Sequence, residues 1–290
     1  MAPTPTARII DGRSLAQSVR DQLSQEVKRL ADLGKAVRLD AVIVGDNAAG
    51  SVYATNQAKM CQAIGIAYHL HELPSDASAC DVEAKIDALN RDDAVTAVMV
   101  HLPLPEAIDT HRVQAMIDID KDIEGVNPGN IGGVIYGRRT LVPCTALAIM
   151  RMIESTDIDL VGAQVACVGA STIVGRPVAV LLMEAQATVI STNVHTEDLA
   201  AHTKRADVVI SAAGVPALVT GDMIKPGAIV IDVGINRVVN PETGKTHTVG
   251  DVDFDSVAPV ASYISPVPGG VGPMTVAMLL RNTVAAADSD

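Results

Sequence analysis

The chain has 290 residues, of which 48% are hydrophobic and 19% charged, enough apolar material for a packed core and too little charge for disorder. Its net charge of −12 excludes nucleic-acid backbone binding as a working hypothesis, although local backbone dipoles can still hold a small anion. Aromatics make up only 2%, with no Trp and the single Phe254, so the core is built from Val, Ile, Leu, Ala and Met, a palette suited to buried parallel strands.

The start, MAPTPTAR, has no apolar signal core, and the chain has no run of about 18 apolar residues; a cytoplasmic protein is expected. Arg38–Val44 is predicted as a strand ending in the turn Gly45-Asp46-Asn47. A helix follows over Ser51–Ile64, closed by Gly65, a residue suited to the left-handed position after a helix. Ile66–Leu73 is a second strand, and Val82, Ile86 and Leu89 give Val82–Arg91 helical spacing. A third apolar run, Ala94–Val100, stops at His101-Leu-Pro-Leu-Pro105, where proline forbids continued pairing.

The rhythm then repeats. Ala163–Val168 is a strand, Gly169–Gly175 a glycine-bearing turn and Arg176–Ala185 a helix. Ala187–Thr192, Ala206–Ala212 and Ala228–Val233 are further strands, and Thr275–Ala286 is a last helix. Alternating strands and helices predict an α/β fold of two domains, the second a Rossmann-like parallel sheet. The boundaries are 1–146 and 147–274, with residues 275–290 returning to the first domain. The four cysteines (Cys61, Cys80, Cys144, Cys167) lack CxxC spacing, so reduced, buried thiols are expected and no zinc site. His69, His71 and His195 have no evident partner and are expected at the surface.

Gly169-Ala-Ser-Thr-Ile-Val-Gly175 follows a strand and opens a helix. Small residues there let the backbone approach a pyrophosphate, which the helix N-terminus can receive. Two more strands end in small residues, at Ala212-Ala213-Gly214 and Val233-Gly234-Ile235-Asn236, where ligands sit on open α/β sheets. Gly169, Ser171, Val174, Gly175, Arg176, Gly214, Ile235 and Asn236 are therefore the candidate cofactor residues. No acid stands at Ser191–Val194 to hold the ribose hydroxyls of NAD, whereas Arg176 can pair with a 2′-phosphate; NADP is favoured and NAD stays open.

Several segments together resemble the bifunctional methylenetetrahydrofolate dehydrogenase/cyclohydrolase family. They are Tyr53 on its helix, His101-Leu-Pro-Leu-Pro105, Asp120-Lys-Asp-Ile-Glu-Gly125, Pro143-Cys-Thr145 and Gly169–Pro177. Ile224–Asn236, Gly250-Asp-Val252 and Pro266-Val-Pro-Gly-Gly-Val-Gly-Pro-Met-Thr275 complete the set, which covers nearly the whole chain. The resemblance implies a homodimer with a ligand cleft between the two domains, folate against the first and nicotinamide cofactor against the second. It further implies NADP-linked oxidation of 5,10-methylenetetrahydrofolate followed by hydrolysis of the methenyl product.

On that resemblance Tyr53, Gln57, His101 and Glu124 are the catalytic candidates. Tyr53, Leu102, Pro103, Glu124, Pro268, Gly269 and Gly270 are the substrate-binding candidates. The departures cluster here. Gln57 stands where the family has Lys, His101 where it has Gln, and Glu124 where it has Asp. Asn127 replaces a His, and Ala146 a Pro. Gln57 removes a proton carrier, so weak or lost cyclohydrolase activity is expected. A fully bifunctional enzyme, a paralogue acting on another one-carbon adduct, and a binding protein without turnover are the alternatives.

Overall fold

The structure, a computed structural model, describes residues 7–45, 48–138, 141–239 and 244–288. It divides into two compact units: residues 17–144 with 277–290, and residues up to 16 with 145–276. The chain passes between them inside one long helix near each end.

The first elements in chain order are β1 (Arg8–Ile9), α1 (Gly12–Asp32), β2 (Arg38–Val44), α2 (Ala48–Ile64), β3 (Ala67–Leu73), α3 (Ala79–Arg91) and β4 (Ala97–Val100). α4 (Thr110–Met116), α5 (Pro128–Ile135) and α6 (Cys144–Glu154) follow. In the first unit β3, β2 and β4 form a parallel sheet in that order, with Val42 opposite both His71 and Val100. β2 is central and buried on both faces, which is why it is a continuous apolar run. α3 places Val82, Ile86 and Leu89 on one buried face, and its start is closed by a Ser78/Asp81 capping box.

The second half of the chain supplies β5 (Gln164–Val168), α7 (Gly175–Glu184), β6 (Thr188–Thr192), α8 (Leu199–Thr203), β7 (Val208–Ser211) and β8 (Ile229–Asp232). β9 (Asn236–Val239), β10 (Thr246–Val249), α9 (Phe254–Val257), β11 (Tyr263–Ile264) and α10 (Val271–Asp288) complete the fold. The second unit is a six-stranded sheet ordered β1-β11-β8-β7-β5-β6, parallel throughout, with β9 and β10 as a separate antiparallel ribbon. It is the Rossmann-like sheet expected for this half.

Several expectations change. Residues up to Ala16 cluster with the second unit, not the first, because β1 pairs with β11 and the Ala7 N–H donates to Ala258 O at 3.0 Å. Cys61, Cys144 and Cys167 are buried, but Cys80 is exposed in the first turn of α3. His71 is not partnerless: its Nε2 lies 2.6 Å from the buried carboxylate of Asp40, which Arg38 also engages. The Asp46-Asn47 part of the predicted turn lies outside the described residues. Among the described residues no helix is long and apolar enough to cross a membrane.

Candidate active site

In the first unit, β4 runs out at Val100 and delivers His101, whose backbone N–H donates to Val42 O at 2.8 Å. The His101 side chain is buried, and burial lowers its pKa below the usual 6.5. Its ring meets Tyr53 edge-on, with centroids 5.7 Å apart and planes at 79°. The Tyr68 hydroxyl, from β3, lies 3.3 Å from His101 Nε2. Sequence reasoning missed Tyr68; its only signal was membership of a set of four tyrosines in an aromatic-poor chain.

Gln57 lies one helical turn after Tyr53 on α2, and the two residues differ sharply in exposure, 42% for Tyr53 and 1% for Gln57. The Gln57 amide donates to Met99 Sδ at 3.0 Å, and its Oε1 is buried with no hydrogen-bond partner. Tyr53 presents an accessible ring. Partial burial, and then the Glu124 carboxylate, push its hydroxyl pKa up to about 12.

The segment Asp122-Ile-Glu124 runs beside β4, bridged at Val98 and Asp122. Asp122 is fully buried; its Oδ2 accepts from the Asn127 N–H at 2.7 Å and the Asn130 side chain at 2.9 Å, while Oδ1 has no partner. Burial raises its pKa. Glu124 Oε2 is likewise buried and unpartnered. Burial, reinforced by Asp122, lifts the Glu124 carboxyl to about 7, against a hydrogen bond with the Val100 backbone that pulls it down. Cys144 is a structural thiol. It donates to Ile123 O at 3.1 Å, and burial holds its pKa well above the usual value. Asn282, on α10, ties the same segment by donating to Ile123 O at 2.8 Å and Val142 O at 2.9 Å. Leu102, half-exposed, and Pro103 continue from His101 across a cis peptide bond.

The structure thus brings Tyr53, Gln57, His101 and Glu124 to the carboxyl end of β4. Gln57 Oε1 and Glu124 Oε2 are buried oxygens without a hydrogen-bond partner among the described residues.

In the second unit, β5 passes through Gly169, with φ of +105°, into the start of α7. A Cβ at Gly169 would overlap Ala212 O, and one at Gly175 would overlap Gly169 O, so both glycines are demanded by close packing of the turn itself. Ser171 closes it: its Oγ accepts from the Gly175 N–H at 3.3 Å and its carbonyl from the Arg176 N–H at 3.0 Å. Val174, at the N-cap, offers no side-chain cap, and the first-turn N–H groups are met by Ser171 and by the Val174 carbonyl, which the Val178 N–H reaches at 3.0 Å, while Pro177 has none. Arg176 is exposed and anchored by a bond from Nε to Ala170 O at 3.1 Å.

At the neighbouring strand ends the Gly214 N–H and the Asn236 amide, of two candidate cofactor residues, are both engaged by Asp251, at 3.0 and 2.9 Å. Ile235 is 71% exposed and lines a pocket of about 110 Å³ with Asp232, Pro268, Gly269 and Gly270. Gly270 also has a packing cause, since a Cβ there would lie 2.6 Å from Pro266 O.

Residues 143–290 match the model of the tetrahydrofolate dehydrogenase/cyclohydrolase NAD(P)-binding domain, and residues 10–124 match that of the catalytic domain. The chain belongs to the tetrahydrofolate dehydrogenase/cyclohydrolase family. A bifunctional protein FolD from Aromatoleum aromaticum is 46% identical over 98% of this chain and 97% of its own length. The bifunctional dehydrogenase/cyclohydrolase structure from Campylobacter jejuni has a TM-score of 0.92 and 41% identity, covering 97% of this chain and 99% of that one. The Trypanosoma brucei dehydrogenase-cyclohydrolase, solved with NADP and an inhibitor, has a TM-score of 0.91 and 37% identity, with 98% of each chain covered. The second unit is therefore a Rossmann-like NAD(P)-binding domain.

Proposed function

We propose that this protein oxidises 5,10-methylenetetrahydrofolate to the methenyl form with NADP, and that its cyclohydrolase activity is weak or absent. The observation that carries the second half is Gln57: a neutral amide, 1% exposed, turned onto Met99 where the family resemblance places a lysine.

NADP supplies a hydride acceptor; everything else is positioning by the chain. The exposed Tyr53 ring offers a flat face for a pterin, and the neutral His101 edge holds that ring upright. The Glu124 carboxylate accepts from the ring N–H and amino groups, which gives Oε2 the donor it lacks. Leu102 and Pro103, and on the second unit Pro268, Gly269 and Gly270, supply apolar and backbone contact for the folate. The Gly169–Gly175 turn and the start of α7 receive the pyrophosphate, with Ser171, Val174 and Gly214 around it and Ile235 and Asn236 towards the nicotinamide. Arg176 is the candidate for the 2′-phosphate.

Hydride transfer asks for alignment of two rings and no proton at the reacting carbon. Hydrolysis of the methenyl bridge asks for proton transfer around a tetrahedral intermediate, worth roughly 10²–10⁴-fold when a side chain performs it. Gln57 can donate and accept hydrogen bonds but cannot carry a proton through a cycle. The fully bifunctional alternative draws on the Tyr68–His101 contact of 3.3 Å, a pair able to relay a proton. Initial rates of NADPH formation from methylenetetrahydrofolate test the first half; no reduction of either NADP or NAD defeats it. Gln57→Lys tests the second, and should raise methenyl hydrolysis without raising NADPH formation. From the family resemblance we also propose a homodimer, expected to show twice the chain mass by light scattering.

A further inference from the structure

The Gly250-Asp-Val252 segment stands out in the sequence but has no part in the chemistry above. In the structure Asp251 is fully buried at the carboxyl end of the second unit's sheet. Its Oδ2 accepts from the Ala213 N–H at 2.7 Å and the Gly214 N–H at 3.0 Å, beyond the end of β7. Its Oδ1 accepts from the Asn236 amide at 2.9 Å, beyond the end of β8. The Asp251 N–H donates in turn to Asp232 Oδ1 at 2.9 Å, and Asp232 Oδ1 also receives the Gly234 N–H at 2.9 Å. Asp232 itself lines the 110 Å³ strand-end pocket.

Among the described residues every bonding partner of these two carboxylates is a neutral amide or hydroxyl, and neither forms a salt bridge. A merely structural tie between two loops needs no charge; a carboxylate held by neutral donors leaves its charge in the low-dielectric strand ends.

We propose that Asp251 is a positioning residue for the nicotinamide cofactor: its carboxylate clamps the ends of β7 and β8 together, and its unpaired charge, beside that of Asp232, makes the site favour the oxidised over the reduced cofactor. The oxidised ring is a cation and the reduced ring is neutral, so a fixed anion nearby stabilises only the former. The proposal rests on the assignment of this domain to NADP.

The test is equilibrium binding of NADP and of NADPH, each alone, to the full-length protein and to Asp251→Asn. The unmodified protein should bind NADP more tightly than NADPH. Asn keeps the size but cannot accept on both sides, because its NH₂ must face either the Asn236 amide or the Ala213 and Gly214 N–H groups. Both affinities should therefore weaken about tenfold or more, with NADP losing roughly fivefold more than NADPH. A folded Asp251→Asn protein with an unchanged NADP-to-NADPH ratio overturns the proposal. So does NADPH binding as tightly as NADP to the unmodified protein, a result that needs no variant to fold. If neither cofactor binds the unmodified protein, the NADP assignment itself fails and this proposal falls with it; binding with no redox bias removes this proposal alone.

Discussion

Glu124→Gln should remove a pH dependence that the unmodified protein shows in its use of folate. The Glu124 carboxyl stands at about 7 because it is buried beside Asp122. In the proposed complex only the ionised form accepts the pterin N–H groups. With that value about 9% of the free protein is competent at pH 6 and about 91% at pH 8, so the apparent KM for methylenetetrahydrofolate should fall roughly tenfold across the interval. Burial raises Asp122 as well, so the Glu124→Gln comparison is what assigns the dependence to Glu124. His101 is pushed below 6.5 by burial, Tyr53 stands at about 12, and Cys144 lies well above its usual value. Folding stability should move the opposite way. A carboxyl raised from 4.5 to about 7 binds its proton more tightly when folded, so its contribution is full below about pH 4.5 and lost as pH rises to about 7. The assay is initial-rate NADPH absorbance against folate concentration from about pH 5.5 to 8.5, for both proteins. The reasoning is refuted by a tenfold KM change that persists in Glu124→Gln, or by a flat profile in the unmodified protein.

Three further outcomes follow from contacts described above. Tyr53→Ser should raise the folate KM at least tenfold with a small change in melting temperature, and Tyr53→Phe should keep most binding because the accessible ring face survives; equal loss of fold in both would place Tyr53 in the core. Arg176→Ala should weaken NADP use by about tenfold and leave NAD use unchanged, as read from kcat/KM for each cofactor. Asn282→Ala should destabilise the first unit by about 2–4 kcal/mol in denaturant titration, because two buried carbonyls, of Ile123 and Val142, lose their donor.

The parallel strands that are buried on both faces were legible as apolar runs. β2, β5, β7 and β8 each show one, and the glycine turn before α7 showed where the cofactor half begins. α1 went unread although Ala16, Val19, Leu23, Val27 and Leu30 mark one buried face, because polar residues fill the rest of that helix. β4 begins at Ala97 instead of Ala94, since the Ala94 N–H is held by the Asp92 side chain at 2.9 Å in a preceding turn. α10 starts at Val271, four residues before its expected start, because Pro273 falls in the first turn, where its missing N–H costs nothing. The two-residue strand β1 has no periodicity at all, and only its pairing with β11 creates it.

Within the site, Tyr53, Gln57, His101 and Glu124 came from the resemblance to the family's motifs. Tyr68 was not read at all and Asp251 stood in a motif with no contact assigned, for a common reason: each meets a residue distant in sequence, 33 positions away for Tyr68 and His101 and 37 for Asp251 and Gly214. No local pattern encodes such a meeting. His71 and Asp40 are a third case, brought into contact only when β3 is laid against β2.

We propose a dehydrogenase whose hydrolytic step is weak or lost because Gln57 stands where the family resemblance places a lysine. It is tested most directly by following methenyltetrahydrofolate absorbance with the purified protein and no nicotinamide cofactor. The account predicts decay at the buffer rate, and accumulation of methenyl product mole for mole with NADPH once methylenetetrahydrofolate and NADP are supplied. Protein-dependent decay a hundredfold above buffer, with no methenyl accumulation during turnover, would contradict it and move the proton relay to His101 and Tyr68.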